Sequence, residues 1–192
     1  SSSYLGTERE GNGILISDSG LIVTIGYLVT EAESLWIVAN NGQTVQGDVI
    51  GYDHETGLGL VQALGRLTVR PMEVGSSADL RLNDQTILAA GGGRRHALAS
   101  TVAAKREFAG SWEYLLDEAI FTTPVHPNWG GTGLIDRNGR LVGVGSLFIQ
   151  DAGPDSTDGN MVVPIDVLKP ILDPMQKTGH TGRPARPWLG LY

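Results

Sequence analysis

The sequence predicts an all-β fold: two six-stranded antiparallel β-barrels closed by a C-terminal helix. Three observations carry this. Glycine is abundant, 27 residues of 192, and it punctuates short β-branched runs rather than forming a repeat. Turn signals recur at a spacing of about ten residues, which suits a sandwich or a barrel. Only near the C-terminus does the apolar period change from strand-like to helical.

The first expected strands, Gly13–Ser17 and Leu21–Ile25, flank Asp18-Ser19-Gly20. The next two, Leu35–Ala39 and Thr44–Ile50, flank Asn41-Gly42, a dipeptide suited to a turn with positive φ. Further strands follow at Leu58–Ala63, Gln85–Ala90, Ala97–Phe108, Trp112–Thr122, Gly133–Ile135 and Leu141–Ile149, with Asn138-Gly139 turning the last pair. The segment Arg66–Leu82 is poor in glycine, and there a first six-strand lobe hands over to a second. Ile165, Leu168, Ile171, Leu172 and Met175 then form one apolar helical face, which Asp166 can cap. Pro170 and Pro174 predict a short or kinked helix, because an interior proline forfeits a hydrogen bond. Residues 1–176 thus read as one two-lobed domain. Lys177–Pro187 is basic and rich in Gly and Pro, the composition of a linker, and 188–192 reads as the first strand of a further domain.

Composition narrows function. With 14 basic and 21 acidic residues the net charge is −7, which argues against a nucleic-acid partner, since Lys and Arg supply phosphate affinity. Cysteine is absent, which excludes disulfides, thiolate metal sites and a cysteine nucleophile. His54, His96, His126 and His180 lack zinc spacing, the acidic residues lack a calcium-loop pattern, and Gly130–Gly133 lacks the Lys-Ser/Thr of a phosphate loop. No metal and no cofactor is expected.

In chain order, GNGILISDSGLIVT, VTIGYLVTEAESLWIVANNGQTVQGDVIGYDHETGLGLV, GRLVGVGSLFI, NMVVPIDVLKPIL and RPWLGLY resemble successive parts of the HtrA-type, trypsin-like serine proteases, from Gly11 to Tyr192. The last stretch resembles the entry into a PDZ domain. The resemblance implies a trypsin-like double barrel, a peptide-binding cleft, a periplasmic or membrane-tethered extracytoplasmic location, and a trimer formed through an N-terminal segment that Tyr4 faintly echoes.

At the catalytic positions the chain departs from that family. Where the family has Thr-Asn-Asn-His-Val-Val, this chain has Thr24-Ile25-Gly26-Tyr27-Leu28-Val29, so Tyr27 stands at the histidine position. Gly57, in Glu55-Thr56-Gly57-Leu58, stands at the aspartate position. In Pro127-Asn128-Trp129-Gly130-Gly131-Thr132-Gly133 either Trp129 or Gly130 takes the place of the serine. Acyl transfer by serine needs a nucleophile, an imidazole and an orienting carboxylate. Losing the nucleophile or base alone costs about a million-fold. An oxyanion-type nest left in the cleft is worth about 10³ over water.

The expected product is a catalytically inactive protease homologue that binds polypeptide, with a cleft of Trp129, Gly130, Gly131, Thr132, Gly145, Ser146 and Leu147 and with Gly143–Ile149 as an edge for β-augmentation. Trp129 either plugs this cleft, stacks on a ligand, or packs between the lobes. The alternatives are an active endopeptidase with a relocated nucleophile, Thr132 with His126 and Asp117 or Asp136, and a purely structural or oligomerising module. Gly91–His96, with Arg94 and Arg95, is either an anion cradle or a solvated turn.

Overall fold

A computed structural model describes residues 9–111 and 113–183. Eleven strands are present among them: β1 (Ile14–Leu15), β2 (Leu21–Ile25), β3 (Leu35–Val38), β4 (Thr44–Tyr52), β5 (Leu58–Ala63), β6 (Gln85–Ala89), β7 (Ala97–Ala109), β8 (Leu115–Thr123), β9 (Gly133–Ile135), β10 (Leu141–Ile149) and β11 (Gly159–Pro164). A one-turn helix, α1 (Gly26–Val29), follows β2, and α2 (Lys169–Thr178) closes the described chain.

The second lobe is a closed barrel in the order β10-β11-β8-β7-β6-β9, while the first is an open sheet, β1-β2-β5-β4-β3. The expected pair of six-stranded barrels is therefore corrected to one closed barrel and one five-stranded half-barrel. The two lobes nonetheless repeat one topology. Without β6 the closed barrel reads β7-β8-β11-β10-β9, the same chain order as β1-β2-β5-β4-β3. What the first lobe lacks, among the described residues, is the counterpart of β6 beside β3. A cavity of about 930 Å³ lies there, lined by Leu35–Ala39 on one side and by Gly11–Gly13 and Trp129 on the other.

Burial explains why β2 reads as a continuous apolar run rather than an alternating one. Ile22 faces the interior of the first lobe with Val29, Val61 and Ala63, while Leu21, Val23 and Ile25 join Leu58, Leu60, Phe121, Met161 and Ile165 in a core shared by both lobes. A strand buried on both faces loses the period-2 signal. The shared core sits directly beneath the cleft.

Asp166 corrects the expectation of a helix cap: α2 has no side-chain cap. Its Oδ2 instead accepts from Ser76 Oγ at 2.9 Å and from Ala78 N–H at 2.9 Å, and Lys169 Nζ lies 2.5 Å from Oδ1. The carboxylate thereby ties the inter-lobe connection to the start of the C-terminal helix. Partial burial raises its pKa, but the bonds from Lys169, Ala78, Ser76 and Ser77 outweigh burial and hold the carboxyl well below the usual carboxylate range. Pro170 lies in the first turn of α2, where a missing N–H costs nothing, and Pro174 is tolerated inside the helix. The helix continues through Thr178, so the non-helical chain expected from Lys177 begins at Gly179. There Arg183 Nη1 reaches back to Glu55 at 2.9 Å and to Asp53 at 3.7 Å. The expected PDZ entry at 188–192, and Tyr4, lie outside the described residues.

Replacing Asp166 by Asn should destabilise the fold by about 1–2 kcal/mol in urea unfolding at neutral pH. Because the folded-state pKa is depressed, this contribution is fully present above the unfolded carboxylate pKa and is lost as pH falls through the folded value. The gap between the two proteins should close on acidification below about pH 4.

Candidate functional site

Three stretches meet at the lobe junction. The start of α1 is joined to the β4–β5 turn by Gly26 N–H donating to Gly57 O at 2.7 Å, which puts Tyr27 beside Gly57. The loop before β9 is joined to β10 by Gly145 N–H to Thr132 O at 2.7 Å and Gly131 N–H to Gly145 O at 2.8 Å. The two stretches expected to form the cleft, Trp129–Thr132 and Gly145–Leu147, are thus bonded to each other, with Gly131, Thr132, Gly145 and Ser146 buried and Trp129 and Leu147 half-buried. Leu147 O also accepts from Asn160 Nδ2 at 3.4 Å.

Around Tyr27, Gly57 and Gly130, which the sequence comparison expects at the triad positions, the space is occupied. Tyr27, half-buried on α1, donates its hydroxyl to Ser146 O at 2.8 Å. A Cβ added at Gly130 would stand 2.8 Å from that same phenol oxygen. Gly57 has φ +74°, and a Cβ there would meet the Tyr114 ring at 2.0 Å, so neither the backbone nor the available volume suits a carboxylate side chain. Tyr114 is 7% exposed, and its hydroxyl hydrogen-bonds Ser146 Oγ. The ring is held edge-on against Phe108 with centroids 5.9 Å apart and sits at φ +70°, an uncommon conformation for a bulky residue.

Neither phenol is a base near neutral pH. Burial pushes the Tyr27 pKa up to about 12, reinforced by the negative charge of Glu113 and partly offset by the Trp129 side chain. Tyr114 is raised further, first by burial, against the lowering effect of its Ser146 bond. Both remain neutral donors.

The oxyanion-type nest expected from sequence would draw on backbone N–H groups of this loop. In the trypsin-like template the oxyanion donors are the backbone N–H groups of the nucleophile and of the residue two before it. With Gly130 in the nucleophile's place, the second donor is Asn128, and its N–H is directed inward to His126 Nδ1 at 3.1 Å. With Trp129 in that place, the residue is Pro127, which has no N–H. From the other side Asn12 Nδ2 donates to Asn128 O and Gly130 O, each at 2.9 Å.

The residues of a relocated triad are placed apart. Thr132 is fully buried and donates to Trp129 O at 3.0 Å. His126, 3% exposed, engages Asn128 N–H and His96 O rather than that hydroxyl. Asp136 Oδ1 accepts from the N–H groups of Asn138 and Arg140 in the β9–β10 turn, and Asp117 is exposed on β8. Gly91–His96 is a turn in which Gly91 N–H donates to Asn12 Oδ1 at 2.7 Å and His96 Nδ1 lies 2.5 Å from Gly91 O. That amide, which an anion cradle would use, is engaged within the protein. Among the described residues no three His, Cys, Asp or Glu side chains gather as a metal site, and no helix is long and apolar enough to cross a membrane.

Trp129 is half-buried and packs at a tilt on Phe148, centroids 6.0 Å apart. Sequence reasoning missed Tyr114, Asn12 and Asn160. Tyr114 lies 57 residues from Gly57, and no motif marks it; the only hint is the absence of a side chain at Gly57, which leaves a volume for something else to fill.

Gly57→Asp should destabilise the protein by about 3 kcal/mol or more in chemical unfolding, by overpacking against Tyr114 at a positive φ. An ultraviolet titration should show Tyr27 ionising only near pH 12, above the ordinary tyrosine value near 10.

A family model described as a trypsin-like peptidase domain matches residues 11–144. The chain is 30% identical to serine protease PepD of Mycobacterium tuberculosis over 197 residues, covering 89% of this chain and 42% of that protein. It is 27% identical to the chloroplastic Protease Do-like 1 of Arabidopsis thaliana over 184 residues, covering 92% and 42%. The chain thus spans less than half the length of these relatives. In solved structures, the HtrA-type protease AlgW with a decapeptide superposes with a TM-score of 0.74 at 17% identity, over 89% of this chain and 53% of that one. Motif order, two-lobed topology and these matches agree: the chain belongs to the trypsin-like peptidase domain family.

Proposed function

We infer that this domain is a catalytically silent member of its family that binds extended polypeptide in the cleft beside Trp129. The observation that carries this is the double hydrogen bonding of Ser146, by Tyr27 and by Tyr114, in the space where a proton relay would operate. A relay needs an alcohol, an imidazole and a carboxylate in contact, whereas the positions assigned to it here hold Tyr27, Gly57 and Trp129 or Gly130, with the neutral phenol of Tyr114 packed against Gly57. The inward Asn128 N–H removes a donor on which residual electrostatic stabilisation would depend.

Binding is supported by the free edge of β10. β9 pairs with β10 only as far as Val144, whereas β11 pairs with it through Ile149. Among the described residues Ser146–Ile149 therefore has one side without a strand partner, and Ser146 O already accepts from Tyr27. By strand alternation the next backbone groups facing outward belong to Phe148. An extended peptide added here would form main-chain bonds to Phe148 and lie across the Trp129–Phe148 pair, which supplies apolar area. The AlgW structures contain a decapeptide or a tripeptide, and an extended ligand for this chain is proposed by analogy with them.

A fluorophosphonate probe with intact-mass readout, run beside hydrolysis of unfolded casein, tests the silence: no adduct and no turnover are expected, and a labelled Ser or Thr whose mutation abolishes turnover would establish the endopeptidase reading instead. For the binding half, Trp129→Ala should weaken capture of an extended-peptide library by about tenfold or more; unchanged affinity for every ligand removes the cleft from the account.

A further inference from the structure

His126 is buried at 3% exposure, and both of its ring nitrogens are engaged by backbone. Asn128 N–H donates to Nδ1 at 3.1 Å, so Nδ1 carries a lone pair. Nε2 lies 2.9 Å from His96 O, so Nε2 carries the hydrogen. These two contacts require the neutral Nε2–H tautomer. The backbone of the same residue is held as well, its N–H donating to Asn160 Oδ1 at 2.7 Å, and Asn160 in turn donates to Leu147 O. His126 thus links the Gly91–His96 turn and the loop carrying Trp129 through its ring, and β11 through its backbone N–H.

We propose that His126 is the positioning residue of the cleft: its neutral ring holds the Asn128 peptide inward and so sets the orientation of Trp129, and protonation of the ring releases that loop. The inference rests on the polypeptide-binding reading only for what the loop does, not for the mechanism of its release. A protonated ring presents N–H groups on both sides. The Nε2 bond to His96 O survives this change, but Nδ1–H then faces the N–H of Asn128, an attractive contact turned repulsive in a site closed to water. The charged and titratable groups nearest along the chain to the partners of His126 are Arg94, Arg95 and His96 in the turn and Asp158 two residues before Asn160. Among the described residues none of them forms an ion pair with His126, so no carboxylate compensates a charge placed there.

Two substitutions separate positioning from mere packing. Asn at this site offers an acceptor oxygen near the place of Nδ1 but does not titrate, whereas Phe fills the volume and offers no acceptor. The readout is the Trp129 contribution to fluorescence, taken as the difference from the Trp129→Phe variant, together with affinity for fluorescein-labelled unfolded casein. Between about pH 8 and about pH 5 the unaltered protein should shift its Trp129 emission and lose about tenfold in casein affinity. His126→Asn should hold the high-pH emission throughout, and His126→Phe the low-pH emission throughout. Nitrogen-15 shifts of the His126 ring should report the Nε2–H tautomer at the higher pH. The proposal is overturned if His126→Asn keeps the pH dependence of the unaltered protein, if that protein shows none, or if the ring is the Nδ1–H tautomer. Should His126→Phe fail to fold, the Asn variant and the ring shifts still decide. Absence of casein binding at both pH values would count against the cleft as a binding site, while the emission series would still judge His126.

Discussion

Ser146 is the constraint on which the site depends. Its carbonyl receives the Tyr27 hydroxyl and its side chain meets the Tyr114 hydroxyl, so one residue at the start of the free edge of β10 is bonded to α1 and to the segment leading into β8. Both phenols are buried enough to stay protonated over the physiological range, and a buried donor without an acceptor would cost about 1–3 kcal/mol. The arrangement is therefore self-enforcing. Moving either ring out of the junction strands a polar group in the core shared by the lobes.

The same junction leaves no room for side chains at two of its glycines. At Gly57 the Tyr114 ring fills the volume a side chain would need, and at Gly130 the Tyr27 oxygen stands within 2.8 Å of where a Cβ would be. The loop between them turns its peptides the other way, with the carbonyls of Asn128 and Gly130 accepting from Asn12 and the N–H of Asn128 donating to His126. Restoring a nucleophile alone would put it beside a phenol that cannot accept its proton and below an inverted nest. Fold and chemistry are separable here, as expected when function resides in a site carried by a fold.

How much of this was legible in the sequence follows from the range of each interaction. Nearly every strand was readable, because β-branched runs and turn glycines act locally: Asn41-Gly42 and Asn138-Gly139 turn the hairpins expected of them. The bonds of Gly131 and Thr132 to Gly145 join two stretches that motif order had singled out. The openness of the first lobe was not legible, since strand closure is a long-range property that no window records. Asp166 misled for a related reason: it has the residue type and place of a cap, yet its acceptors were claimed by Ser76 and Ala78, some 90 residues earlier in the chain. Tyr114 was invisible for the same cause, as its partners Ser146 and Gly57 are remote on both sides.

The central proposal is that the junction built around Ser146 is catalytically silent because of how it is packed, and not only because of which residues stand at three positions. The most direct measurement is covalent labelling, by an active-site phosphonate, of a protein carrying Tyr27→His, Gly57→Asp and Gly130→Ser together. The account predicts that this triple replacement stays unlabelled, because Tyr114 occupies the carboxylate's volume and the Asn128 amide remains on His126. Stoichiometric labelling at residue 130 with recovered peptide hydrolysis would contradict it.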